Sequence, residues 1–313
     1  MHNLLFCTAC ICTIALACFG YRFDSAFEIG ITFVAVCLIG VPHGGLDHKT
    51  GRKLLVATWG AFWVLPFFGV YLMIAAITVL GWIVSPLVTA LSFFVVSASH
   101  FGHEDQLTEV RPTTWRVLCD AAAGGLLIWI PAIARPGEMR EILDSIIPGS
   151  ITTAGSSIVT ATQFLALAFL PLVMVRILFL MCSRTTRNRA GIVYAIRQMV
   201  LIGLFALTPI LIAFAIYFCG WHSVRGLNTL MRENEMSLGE LSRATLPMSV
   251  GAVVLTGLGM WFWNSGRELG PELTRTLFLG LSAMAVPHLA LHAIPKRWFN
   301  GSVQAASHVR GAL

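Results

Sequence analysis

Apolar positions along this chain gather into long unbroken runs, without the strict alternation of a half-buried strand or the single stripe of a surface helix. Between Leu54 and Ser99 there is no Lys, Arg, Asp or Glu, a length sufficient for two membrane crossings of about 20 residues each. The turn between them is predicted near Trp82, Ser85 and Pro86. Other runs free or nearly free of charge cover His2 to Tyr21, Ile31 to Leu46, Val117 to Ala134, Ser150 to Val175, Gln198 to Trp221, Ala244 to Gly266 and Thr276 to Pro295. The pattern predicts about eight to nine hydrophobic segments. Helices are the expected form, because backbone groups facing lipid must be satisfied within the segment and the runs lack the two-residue alternation of a membrane barrel. Pro66, Pro131, Pro171, Pro209, Pro247 and Pro287 fall inside these runs and are expected to kink helices beside a cavity. Glu138 to Ser145 and Arg232 to Arg243 read as polar loops or interfacial helices. No repeat or linker divides the chain, so residues 1–313 are expected to form one all-α, polytopic membrane bundle.

Composition narrows the class further. Hydrophobic residues make up 57% of the chain, charged residues 12%, and mean hydropathy is +0.79. A soluble globule carries about 25% charge to wet its surface, so much of this surface is expected to meet lipid. The net charge of +6, from 21 Lys and Arg against 15 Asp and Glu, reads as loop charge facing an anionic leaflet; no stripe suited to nucleic acid is evident. The basic stretches near Lys49 to Lys53, Arg184 to Arg197 and Lys296 to Arg297 are expected on the cytoplasmic side. Strict alternation of nine crossings cannot place all three there, so one run is expected to be re-entrant, double or interfacial. Cys7, Cys10, Cys12, Cys18, Cys37, Cys119, Cys182 and Cys219 lie mostly within apolar runs, where a thiol packs as a small hydrophobe. Packing is also the expected role of the Cys7, Cys10, Cys12 group. No Lys or Arg precedes the first run, so a retained first span is expected and not a signal peptide.

The candidate chemistry lies in the histidines. Of nine, His43, His48, His100, His103, His222, His288 and His292 cluster at the ends of apolar runs. The strings are Pro42-His43-Gly44-Gly45-Leu46-Asp47-His48, Ser99-His100-Phe101-Gly102-His103-Glu104-Asp105, Trp221-His222-Ser223-Val224-Arg225 and Pro287-His288-Leu289-Ala290-Leu291-His292. An imidazole near hydrocarbon is costly without a partner. Any one of them could be hydrogen-bonded between helices or sit at the headgroup level, but four strings from distant parts of the chain suggest imidazoles converging on a metal such as Fe, Zn or Cu. His100 with His103, and His288 with His292, are spaced to share a helix face. Asp47, Glu104 and Asp105 could accept the second ring N–H of such ligands, or be solvated loop charges. Phe101, Tyr217, Phe218, Trp221, Trp261, Phe262 and Trp263 could wall a pocket for a long apolar substrate; for Trp261 and Trp263 an interfacial belt is preferred.

On these strings the sequence resembles the Brp/Blh family of membrane β-carotene 15,15′-dioxygenases, in family order and over nearly the whole chain. The resemblance implies a multi-pass inner-membrane enzyme that holds one Fe(II) through histidines and uses O2 to split β-carotene, taken from the bilayer, into two molecules of retinal. Three family ligand positions map onto His43, His100 and His222. The fourth, four residues after the histidine of the Trp-His-Ser string, is Gly226 here. Either His103, His288 or His292 completes the set, or three histidines hold the iron, or the activity has changed. A carotenoid about 30 Å long matches the hydrocarbon thickness, and the protein would supply shape and a dry tunnel around the metal.

Three other readings compete. A diiron desaturase or hydroxylase would need more short-spaced histidine pairs than His100/His103 and His288/His292. A metal or proton transporter would place acidic partners along its path, and acids inside the runs are scarce, chiefly Glu28 and Asp120. A haem protein could use paired axial histidines.

Overall fold

Runs of Leu, Ile, Val, Phe and Ala without a partner strand close their backbone hydrogen bonds within one segment, and every regular element among the described residues is helical. The computed structural model describes residues 2–105, 113–147, 153–182, 189–262 and 269–294. Helix α1 (His2–Cys18) precedes α2 (Ser25–Ala35), whose first turn is capped by the Asp24 carboxylate accepting from the amides of Ala26 and Phe27 at 3.0 and 3.2 Å. Helix α2 continues through a π-helical turn (Val36–Gly40) into α3 (Val41–His43). Helix α4 (Asp47–Trp59) leads by a short 3-10 turn into α5 (Val64–Val84), and α6 (Pro86–Glu104) begins one residue later, so the expected turn sits at Ser85. Then come α7 (Thr114–Gly124), α8 (Leu126–Ala134), α9 (Pro136–Ile146), α10 (Ala154–Cys182) and α11 (Arg189–Leu207). Helix α12 (Ile210–Tyr217) runs through a second π-helical turn (Phe218–Ser223) into α13 (Val224–Glu233). Helices α14 (Leu238–Phe262) and α15 (Leu269–His292) complete the described chain.

Among the described residues, five stretches are long and apolar enough to cross a membrane, or six if α7 and α8, bent by 54°, count as one. The eight to nine segments expected from the sequence are not reproduced by that measure. The Val117 to Ala134 run breaks at the Gly124-Gly125 pair. The Thr276 to Pro295 run belongs to α15, which also carries buried Glu272 and Arg275. Prolines 131, 171, 247 and 287 lie inside helices as expected, but Pro209 separates α11 from α12 and so ends a helix without kinking one. Glu138 to Ser145 is helical within α9, and Arg232 to Arg243 holds the turn between α13 and α14. That turn carries a capping box: Glu240 Oε2 accepts the Ser237 amide at 2.8 Å while Ser237 Oγ accepts the Glu240 amide at 3.3 Å. Trp263, the side chain of Phe262, His308 and the basic residues Arg184, Arg187, Lys296 and Arg297 lie outside the described residues.

Small residues set the closest helix crossing. A Cβ on Gly102 of α6 would run into the Asp120 backbone of α7, and one on Gly124 would strike the backbone of Ala98 and Gly102. Contact at this range is typical of helices packed in a bilayer, where dispersion and not water exclusion drives association. It fixes α6, which carries His100, against α7. Asp120, one of the two acids inside the runs, pairs with Arg176 of α10, whose guanidinium lies 4.8 Å from the Tyr194 ring centroid. The outer face is apolar: Phe164, Leu167, Phe179, Leu246, Val254 and Trp261 are exposed, a surface that fits lipid.

Candidate metal centre

Local backbone chemistry places each imidazole. In the first π-helical turn the Val41 amide reaches back five residues to the Val36 carbonyl, and Pro42 brings no amide of its own. His43 follows at the end of α3, and a Gly44-Gly45 turn swings the chain into α4, which opens with Asp47. His222 sits in the second π-helical turn. The two π segments touch where Gly40 leaves room for the Phe218 ring; a Cβ there would come within 2.7 Å of it. His100 lies one turn before the end of α6, and His288 one turn before the end of α15, directly after Pro287.

These four rings converge. Centroids are 5.0 Å apart for His43 and His222, 5.3 Å for His43 and His288, 5.3 Å for His100 and His222, and 5.7 Å for His100 and His288. One ring nitrogen each from His43, His100 and His288 can be chosen so that all three lie within 4.8 Å of one another. Phe101 meets the His222 ring edge-on at 4.6 Å and Phe218 lies nearly parallel to it at 5.9 Å, so two aromatic rings hold that imidazole.

Hydrogen bonding leaves nitrogens of this cluster unpaired. Both ring nitrogens of His43 and Nε2 of His288 are buried without a hydrogen-bond partner. Buried polar atoms ordinarily find one. His288 Nδ1–H donates to the Asp47 carboxylate, 2.9 Å from either oxygen, which assigns the proton to Nδ1 and leaves the Nε2 lone pair free. Asp47 is itself held by the Tyr71 hydroxyl at 3.1 Å, whose proton is shared with the Met284 carbonyl at 3.2 Å. Neutral imidazoles with unused lone pairs, pressed together in an apolar surrounding, are a donor set that suits a divalent transition metal. Gly226 borders the cluster from α13: a Cβ at that position would run into the His43 ring.

Other residues singled out in the sequence lie elsewhere. His103 is exposed, so the spacing of His100 and His103 does not bring both rings to one centre. His292 approaches His288, with centroids 4.3 Å apart, and stands 6.4 Å from His100, but its side chain is 43% exposed. Glu104 is half-buried. Asp105 does not contact an imidazole; its carboxylate accepts from Trp221 Nε1 at 2.9 Å, the Tyr217 hydroxyl at 3.1 Å and Arg225 at 3.3 Å. Tyr217 and Trp221 are buried in the helix packing. The Trp221 indole is stacked on His2 at 4.9 Å and has the Arg197 guanidinium over it at 4.2 Å. Phe101 and Phe218 remain beside His222. Sequence reasoning missed Tyr71 and both π-helical turns. A lone tyrosine in an apolar run carries no signal, but the Gly40-x-Pro42 and Gly220 positions were visible hints of irregular helix.

Comparison with known proteins points to one family. The sequence pattern of the family described as "Beta-carotene 15,15'-dioxygenase" matches residues 34–294. A protein from an uncultured marine bacterium named "Beta-carotene 15,15'-dioxygenase" is 26% identical over 272 residues, covering 82% of this chain and 90% of that protein. Two Halobacterium salinarum proteins named as probable β-carotene 15,15′-dioxygenases, Blh and Brp, are 25% and 23% identical over 281 and 311 residues. The first alignment covers 81% of this chain and 80% of Blh, the second 87% of this chain and 84% of Brp. No solved structure matches.

Proposed function

Because the chain belongs to the β-carotene 15,15′-dioxygenase family, we propose that it cleaves β-carotene, or a close relative, at its central double bond to give retinal. The reaction consumes one O2 and one β-carotene and yields two retinals, so atoms balance without a further reductant. We place the protein in the cell inner membrane, with the carotenoid entering sideways from the bilayer. His43, His100, His222 and His288 would hold Fe(II). The observation that carries this reading is the convergence of four imidazoles with three buried, unpaired ring nitrogens among them. When bound, ferrous iron supplies the redox chemistry with O2.

The chain's own part is geometric and electrostatic. Asp47 keeps the His288 proton on Nδ1 so that Nε2 faces inward. Phe101 and Phe218 fix the His222 ring and keep water from it. Gly226 leaves the space that the His43 ring occupies, and with His288 in the cluster an imidazole from position 226 is not needed to complete four. No side chain has to act as a general acid, since the carbonyl oxygens of both products come from O2.

The test is expression in a bacterium that makes β-carotene. The expected outcome is bleaching of the pigment with retinal recovered in extracts, and loss of retinal in the His43→Ala and His288→Ala variants. Persistent β-carotene with the wild-type protein present in the membrane fraction would count decisively against cleavage.

A further inference from the structure

A buried centre poses a transport problem. Both ring nitrogens of His43 and Nε2 of His288 are buried, and a divalent ion arriving with its water shell faces a large desolvation penalty unless donors replace that water stepwise. A second donor group lies beside the first and opens outward. Asp47, His288 and His292 each offer an atom, all within 4.8 Å of one another. Exposure rises along this group: the side chains of Asp47 and His288 are 9% and 10% exposed, that of His292 43%.

The spacing suits a cation better than a hydrogen bond. His292 Nε2 stands 3.8 Å from Asp47 Oδ1, too far for a good hydrogen bond. It is within the span of about 4.2 Å that two bonds of about 2.1 Å to one ion can bridge. His288 and His292, four residues apart on α15, share one face of that helix. Glu104, at the end of α6, and Glu233, at the end of α13, are near enough to act on His292 electrostatically. One carboxylate thus lies against the exposed imidazole of the group and two more lie within electrostatic range of it, and such a field raises the local concentration of a cation.

We propose that His292 and Asp47, in the field of Glu104 and Glu233, form an outer capture site from which a divalent cation passes to the inner imidazoles. The proposal rests on the reading that His43, His100, His222 and His288 hold a metal. Asp47 is the hinge of the transfer: it touches His292 on the outer side and His288 on the inner, so an ion leaving His292 stays coordinated while His288 Nε2 comes within reach. His292 is thus a residue of loading and not a resident ligand.

The test uses the full chain in lipid nanodiscs, stripped of metal and mixed without oxygen with ferrous ion, with uptake timed by a competing ferrous chelator. His292→Ala is expected to load about tenfold more slowly at low ionic strength and to reach the same final iron content. Glu233→Gln should slow loading in the same sense and flatten its dependence on salt. Unchanged loading rates in both variants would overturn the capture site, and so would a lower final iron content in His292→Ala, which would make His292 a resident ligand. A wild-type chain that takes up no ferrous ion would overturn the inner centre as well. One that loads iron and leaves β-carotene intact would sink the cleavage activity and leave the capture site standing.

Discussion

Asp47 is the residue on which the centre's chemistry turns. It accepts the Nδ1 proton of His288, is held by Tyr71 and lies beside His292. Replacing it by Asn keeps the shape but removes the charge and lets an amide N–H oppose the imidazole N–H. Loss of such a partner to a metal-binding histidine typically costs about 10- to 100-fold in affinity. Asp47→Asn should therefore weaken ferrous binding by that order while the helical circular dichroism stays unchanged; equal affinity would show that the hydrogen bond does not orient the ligand. Asp47 was legible as a possible partner of an imidazole, with a solvated loop charge as the alternative; that it pairs with His288 of the distant α15 was not. Asp105 was legible as a residue of interest but not in its role, because sequence adjacency to His100 and His103 says nothing of which helix packs across the carboxylate. Gly226 was visible as a missing imidazole; that its place is filled by the His43 ring requires three-dimensional information.

At the scale of elements, Asp105 ties the helix that bears His100 to the turn that bears His222. It caps the end of α6 and gathers Trp221, Tyr217 and Arg225 from the second π-helical turn and its flanks. Hydrogen bonds to a buried charge are worth about 1.5–3 kcal/mol each when one partner is removed. Asp105→Asn is expected to lower stability by about 2 kcal/mol or more and to reduce iron occupancy, although it touches no ligand; a variant with wild-type melting and full iron would remove this tie from the account. Hydrophobic runs reported the helices well, since apolarity persists through a break. They did not report the bend between α7 and α8 or the end of α11 at Pro209, where the backbone changes direction without a change in polarity. The π-helical turns were hinted at only by Gly40-x-Pro42 and Gly220, because one extra residue in a turn leaves an all-apolar run looking the same.

For the whole molecule, part of the basic charge lies on the elements that carry the histidines. Lys49, Arg52 and Lys53 lie in α4, which opens at Asp47, and Arg225 and Arg232 lie in α13, which begins just after His222. By the positive-inside rule this end is expected to face the cytoplasm. A cysteine placed at Lys53, in a background with the exposed native cysteines removed, should react with a membrane-impermeant maleimide only after the cells are opened. Labelling of intact cells would reverse the orientation. All-helical architecture could be read from the sequence because lipid exposure excludes open strands; the number of crossings could not, because burial of Glu272 and Arg275 in α15 depends on neighbours that the run itself does not name.

The contact between Gly40 and Phe218 bears on how this chain tolerates insertions and deletions. Each π-helical turn holds one residue more than an α-helical path would, and each residue of helix is worth about 100° of rotation. Deleting one residue from α6 ahead of His100, where no π-helical turn can absorb the change, would leave its apolar character intact, yet would turn His100 away from its partners by roughly that angle. The reading frame of imidazoles around the centre is thus kept by residue count as much as by residue identity. Length changes that surface loops absorb freely would be silent in hydropathy here and ruinous to the site.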